Sequence, residues 1–245
     1  MSSAFGWGVL AGSSLLIGGL IALTRPLQSR TLGLIMAFGA GVLVSAVAYE
    51  LVLDAQVASH GSRWAAAGLF AGALAFYGGD LWVDRLGGEG RKHVEGSDSG
   101  SGPALVVGIV LDGVPESIVI GVSLISGAGV SLAMIVAVFL SNLPEGIAAT
   151  TALRRTGISA RNLYVLWIGL ALVSGVAAAI GYRAFGDASP ATIAFVQSFA
   201  AGAILTMLAD TLLAQLNERL PPERQVRSLK FTAAPSRRRP GERST

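Results

Sequence analysis

Two short stretches concentrate the polar chemistry of this 245-residue chain. They read Asp112-Gly113-Val114-Pro115-Glu116-Ser117 and Ser141-Asn142-Leu143-Pro144-Glu145-Gly146, and each holds a Pro-Glu pair. Asp112 and Glu116 are four apart, so a helix presents both on one face. Pro115 has no N–H for the carbonyl of Leu111, and Pro144 has none for the carbonyl of Leu140. The two stretches therefore supply three carboxylates, the Asn142 amide, the Ser141 hydroxyl and loosened backbone oxygens. Oxygen ligands of this kind suit a divalent cation.

The surroundings sharpen that reading. Hydrophobic residues make up 52% of the chain and charged residues 13%, about half the ~25% usual for a soluble domain. There are 32 glycines and no cysteine, and the mean hydropathy is +0.63. Such a composition excludes a disordered chain, a disulfide scaffold and a cysteine-based zinc module. It points to an all-α polytopic membrane protein, in which glycine-rich spans are common. Seven stretches nearly free of charge fall at 4–24, 31–53, 64–82, 104–125, 130–153, 163–185 and 191–213. Each approaches the ~20 residues that cross a ~30 Å hydrocarbon core. The first lacks a basic start and reads as an uncleaved span. A carboxylate placed in such a span costs at least ~2.5–3.5 kcal/mol, so Asp112, Glu116 and Glu145 are functional candidates by default. The competing reading is a pair of proline kinks with carboxylates protonated or hydrogen-bonded to neighbours.

Of the eighteen Lys and Arg residues, all but Arg63 and Arg183 flank the spans on one side. The positive-inside rule makes that side cytoplasmic, with the N-terminus outside. The domain reading is a transmembrane unit over 1–213, with a Gly/Ser-rich cytoplasmic loop over 85–103, and a basic, disordered cytoplasmic tail over 214–245. The two Pro-Glu motifs lie on consecutive, oppositely directed spans. Phe38-Gly39-Ala40-Gly41 in the second span also matches Phe199-Ala200-Ala201-Gly202 in the seventh. This is the pattern of inverted repeats in transporters.

On these motifs the chain resembles the ZIP family of divalent-metal transporters, in which the fourth span typically carries His-Asn-x-Pro-Glu-Gly and the fifth a similar run. The resemblance covers roughly residues 4–213. It implies that Asp112, Glu116, Ser141 and Glu145 hold the transported metal, while Asn142 and Gly113 stand where two-metal members build a second site. The usual histidine is here Asp112, its asparagine is Gly113, and the glutamate usual in the sixth span is Ala177. One metal rather than two is therefore expected. The family usually has eight spans, and no eighth is legible after Leu213. Zinc is expected first by resemblance, with manganese, iron(II) and cadmium following for an oxygen-rich site.

Elsewhere, Glu50 and Asp54 end the second span, Asp80 and Asp84 the third, and Asp210 lies near the end of the seventh. They read as interfacial groups, or as an entry funnel (Glu50, Asp54) and an exit (Asp210). Trp7, Trp64, Trp82 and Trp167 read as an aromatic belt, and Gly41, Gly68, Gly72, Gly121 and Gly202 as close-approach positions. His60 and His93 fall in loops. Neither a P-loop lysine nor a His-Glu-x-x-His pattern occurs, so the chain reads as a transporter in the cell membrane rather than an enzyme. The implied partners are the metal ion and the bilayer, with a homodimer left open and nothing pointing to nucleic acid. The rival readings are a proton- or solute-handling membrane protein that uses the carboxylates as a relay, and a non-transporting degenerate relative.

Overall fold

A computed structural model describes residues 1–25, 27–58, 63–83, 85, 102–125 and 131–219. Among them the chain is all helical, with seven helices long and apolar enough to cross a membrane. The helices are α1 (Ser2–Thr24), α2 (Ser29–Ala46), α3 (Leu53–Ala58), α4 (Arg63–Val83), α5 (Gly102–Ser123), α6 (Leu132–Arg155), α7 (Ala160–Phe185) and α8 (Pro190–Arg219). A π-helical segment, Val47–Val52, joins α2 to α3 without interruption, so the three form one span. Most of the 85–103 loop, the tail beyond Arg219, Asp84, His60 and His93 lie outside the described residues. The seven expected spans match these helices, with ends displaced by a few residues. The last helix runs on to Arg219.

Serine starts three of the helices in the same way. Ser131 Oγ accepts from the Met134 amide at 3.1 Å. Ser159 does the same for Asn162 at 3.3 Å and Ser189 for Thr192 at 3.2 Å. Each satisfies an amide that the first turn leaves without an intrahelical partner. The turn between α6 and α7 passes through Gly157, whose φ of 87° suits a residue without Cβ.

The helices sort into two bundles. α1 packs along α6 and α7, and α5 packs chiefly on α7. In the second bundle α8 packs along α4, the π segment and α3. The bundles meet where α2 lies on α6 and α5 touches α8. Their shared core mixes short side chains such as Ala40, Ala137, Ala200 and Ala203 with large ones such as Leu43, Phe76, Ile120, Met134 and Met207.

In lipid there is no hydrophobic force between helices, so association rests on close van der Waals contact, which small residues permit. Several glycines here are sterically required. A Cβ on Gly72 would run into the carbonyl oxygen of Phe199, and one on Gly202 into that of Leu69, which locks α4 to α8. Gly121 meets the Ala178 carbonyl between α5 and α7 in the same way. Gly41 is different from the expectation: a Cβ there would meet nothing within 4 Å. It lies on an open groove rather than in a helix contact.

The aromatic belt also needs correction. Trp64 and Trp82 are exposed, as a belt requires, but Trp167 is fully buried. Its indole N–H donates to Thr150 Oγ1 at 2.9 Å, and Gly19 of α1 lies against its ring. Trp167 thus ties α1, α6 and α7 together, because a buried indole N–H needs a partner and Thr150 supplies it.

The glycine requirement can be checked by thermal unfolding in detergent. Gly72→Ala should cost about 1–3 kcal/mol through overpacking. Gly78→Ala has open space for its Cβ and should be neutral, or stabilising by up to ~1 kcal/mol through helix propensity.

Candidate metal site

The prolines do not break their helices. α5 continues through Pro115 and α6 through Pro144, so the loosened backbone oxygens lie on continuous helices. Each proline removes one intrahelical bond, to the Leu111 carbonyl in α5 and to the Leu140 carbonyl in α6. Ser117 Oγ donates to the Gly113 carbonyl at 2.8 Å and Ser141 Oγ to the Val138 carbonyl at 3.0 Å. The Leu140 carbonyl released by Pro144 faces Gly39 of α2, where a Cβ would come within 2.6 Å of it. α2 thus packs closely against the loosened turn of α6.

The candidate residues gather around Glu116. Its side chain is 1% exposed, with Asp112 at 9% and Asn142 at 6%; Ser141 and Glu145 are half-buried. The Asn142 amide faces Glu116, and the Glu145 and Asp112 carboxylates lie within electrostatic reach of it. α5 and α6 thus bring four of the five predicted residues to one region, with Ser141 adjacent in sequence to Asn142. Asn142 is the hydrogen-bonding group beside Glu116, whose two oxygens otherwise lie without a close protein donor. A buried carboxylate left this way is costly unless something compensates it. Among the described residues, no three His, Cys, Asp or Glu side chains stand close enough together to hold a metal ion as they are. The oxygens share a region without closing into a finished coordination shell.

The positions that a second metal would need offer little. Gly113 has no side chain and faces open space. In α7, Ser174 and Ala177 are both buried, and Ala177 has no ligand atom.

One buried acid differs from its sequence reading. Asp80 is 1% exposed, not an interfacial group in water. It follows Gly79, which faces the Leu111 side chain of α5, so Asp80 lies near the turn that carries Asp112. The signal was legible in α4: Gly68, Gly72, Phe76, Asp80 and Val83 are its buried residues, and their spacing of three and four is one helical stripe. Charge alone suggested an interface; the stripe places Asp80 inside. Asp54 is exposed and Asp210 half-buried, compatible with interfacial positions. Gln197 and Ser198 are buried, as interhelical packing predicts.

The fold and this cluster define a multi-pass α-helical membrane protein with a carboxylate-rich interior. No model of a known protein family matches the chain. A curated protein of Arabidopsis thaliana named "Putative zinc transporter" is 29% identical to it over 185 residues. The match takes in 74% of this chain and 29% of the relative's length. That similarity supports the ZIP-type resemblance read from the motifs, at a distant level.

The crowding of acids around Glu116 has a measurable consequence. In metal-free protein, Glu116→Gln puts a neutral isostere in place of a buried acid beside Asp112 and Glu145 and should raise the melting temperature, by the equivalent of about 1–3 kcal/mol. The half-buried Glu145→Gln should change it less. A lower melting temperature for Glu116→Gln would show that the carboxylate already has a stabilising partner.

Proposed function

We propose that the chain moves a divalent metal cation across the membrane toward the cytoplasm, through a site formed by Asp112, Glu116, Ser141, Asn142 and Glu145. The observation that carries this reading is Glu116: a carboxylate 1% exposed, with the Asn142 amide as its hydrogen-bonding neighbour and two further acids, Glu145 and Asp112, within electrostatic reach. A cation in their midst offsets the mutual repulsion of the acids and much of their insertion cost. The name carried by the Arabidopsis relative favours zinc. The donor set, all oxygen, leaves manganese and iron(II) as close competitors, since imidazole and thiolate rather than carboxylate favour zinc.

The two-bundle arrangement supports a mechanism. α5 and α6 carry the site within the bundle of α1, α5, α6 and α7. α4, α8 and the α2–α3 rod form a frame around it. In this mechanism the cation sheds water against the carboxylates on one side. The site-bearing bundle then shifts against the frame, and the cation leaves into the cytoplasm. Driving force comes from the metal gradient, the membrane potential or protons carried on the glutamates when no metal is bound.

A second reading has one observation in its favour. The acidic side chains do not yet stand at metal-binding spacing, which suits a carboxylate relay for protons as well as an unfilled site. The two separate in proteoliposomes. Saturable uptake of zinc, manganese, iron(II) or cadmium by the wild type, reduced by about 10–100-fold or more in Glu116→Ala and in Glu145→Ala, is the result expected for ligand loss. Proton flux without metal dependence, or metal flux indifferent to both substitutions, would contradict the proposal.

A further inference from the structure

A groove of about 680 Å³ runs along the boundary between α2 and α6. Its walls include Phe38, Gly41, Ser45, Tyr49 and Glu50 from the second span and Val136 from α6. Most of these are exposed, Phe38 at 63% and Tyr49 at 68%, so the groove opens sideways toward the bilayer. Gly202, which occupies the matching place in the α8 repeat, is covered by α4. Gly41 is left bare, with room for a side chain.

The groove is polar at one end. Glu50 sits on the π-helical segment, a local geometry that recurs at functional positions in otherwise α-helical rods. Asp54, one turn further on, adds a second negative charge within reach. No Lys or Arg lines the groove. The second span is 28 residues long, where ~20 suffice to cross the core. The excess brings Glu50 and Tyr49 toward the membrane surface, the level at which tyrosine rings favour the headgroup region. From Glu50 the walls descend to Phe38, a distance of about 18 Å at the helical rise. One leaflet is ~15 Å deep.

We propose that this groove binds one phospholipid with a primary ammonium headgroup, in the leaflet where α3 emerges. The ammonium donates to the Glu50 carboxylate, and one acyl chain lies along Phe38, Gly41 and Val136. Charge decides between this occupant and its rivals. A second copy of the chain docking here about a two-fold axis through the polar end of the groove would bring Glu50 against Glu50 with no cation between them. An apolar helix would bury the carboxylate unpaired. A hydrated metal ion would face walls that are largely hydrocarbon. An ammonium lipid supplies the positive charge and the apolar body together. The site is independent of the metal reading. It spans the two bundles, so its occupant touches both partners of the boundary.

The test uses purified full-length chain, washed in detergent after exposure to vesicles of phosphatidylethanolamine, phosphatidylcholine or phosphatidylglycerol, with bound lipid quantified by mass spectrometry. Wild type should retain the ethanolamine lipid about fivefold over the choline lipid, as a single charge-assisted hydrogen bond would give. The preference should vanish in Glu50→Gln and survive in Glu50→Asp. Gly41→Leu, which has space for its side chain, should lower retention of every phospholipid. Equal retention by wild type, or a preference unchanged in Glu50→Gln, would overturn the proposal. So would ready Gly41→Cys disulfide dimerisation, which reads cleanly because the chain has no native cysteine.

Discussion

A carboxylate inside a bilayer must be matched by something, and the organisation of this molecule follows from that demand. Glu116 is buried among helices, facing two other acids, with only the Asn142 amide beside it as a hydrogen-bonding group. Burying an uncompensated ion costs several kcal/mol. An arrangement that brings further acids toward such a group worsens the balance unless a cation joins them. The helix geometry follows the same logic. Asp112 and Glu116 share a face of α5, and Asn142 and Glu145 approach from α6, each next to a proline that leaves a carbonyl without its usual partner. Both helices stay continuous through these prolines, so the oxygens are held on rods rather than on loops.

Holding rods in place without a hydrophobic force between them requires close contact, and glycine provides it. α4 and α8 are joined where Gly72 and Gly202 admit backbone carbonyls. α5 and α7 are joined at Gly121, and α1 meets α6 and α7 around Gly19, Thr150 and Trp167. These contacts lie within the bundles and are specific in shape. The core between the bundles mixes alanines with leucine, isoleucine, methionine and phenylalanine side chains. There too a glycine admits a carbonyl: Gly39 of α2 lies against that of Leu140, one residue from Ser141.

Much of this was legible in the sequence, and the reasons differ by feature. Long charge-poor stretches fix spans well, since a helix crossing lipid has few alternatives. The paired Pro-Glu motifs singled out Asp112, Glu116, Asn142 and Glu145 because polar residues are conspicuous in such stretches. Other features depend on which face of a helix meets which neighbour, and residue type did not carry that information. Trp167 looks like a belt residue by its place near a span end, yet Thr150 and Gly19 make a closed pocket for it. Asp80 looks interfacial by charge, yet it lies on the buried stripe of α4. Gly41 looks like a packing glycine, yet α2 has no neighbour there. The π-helical segment at Val47–Val52 left no mark in composition. Partition into two bundles is a property of contacts among seven helices, and no single span encodes it.

The central claim is that the carboxylates of α5 and α6 form one site for one divalent cation. Equilibrium dialysis of the purified chain against manganese or zinc, combined with X-ray absorption of the bound metal, tests it directly. The account predicts one equivalent per chain in a shell of oxygen ligands, lost when Glu116 and Glu145 are both replaced by alanine. Binding that persists in the double substitution, or a failure to saturate at one equivalent, would contradict it.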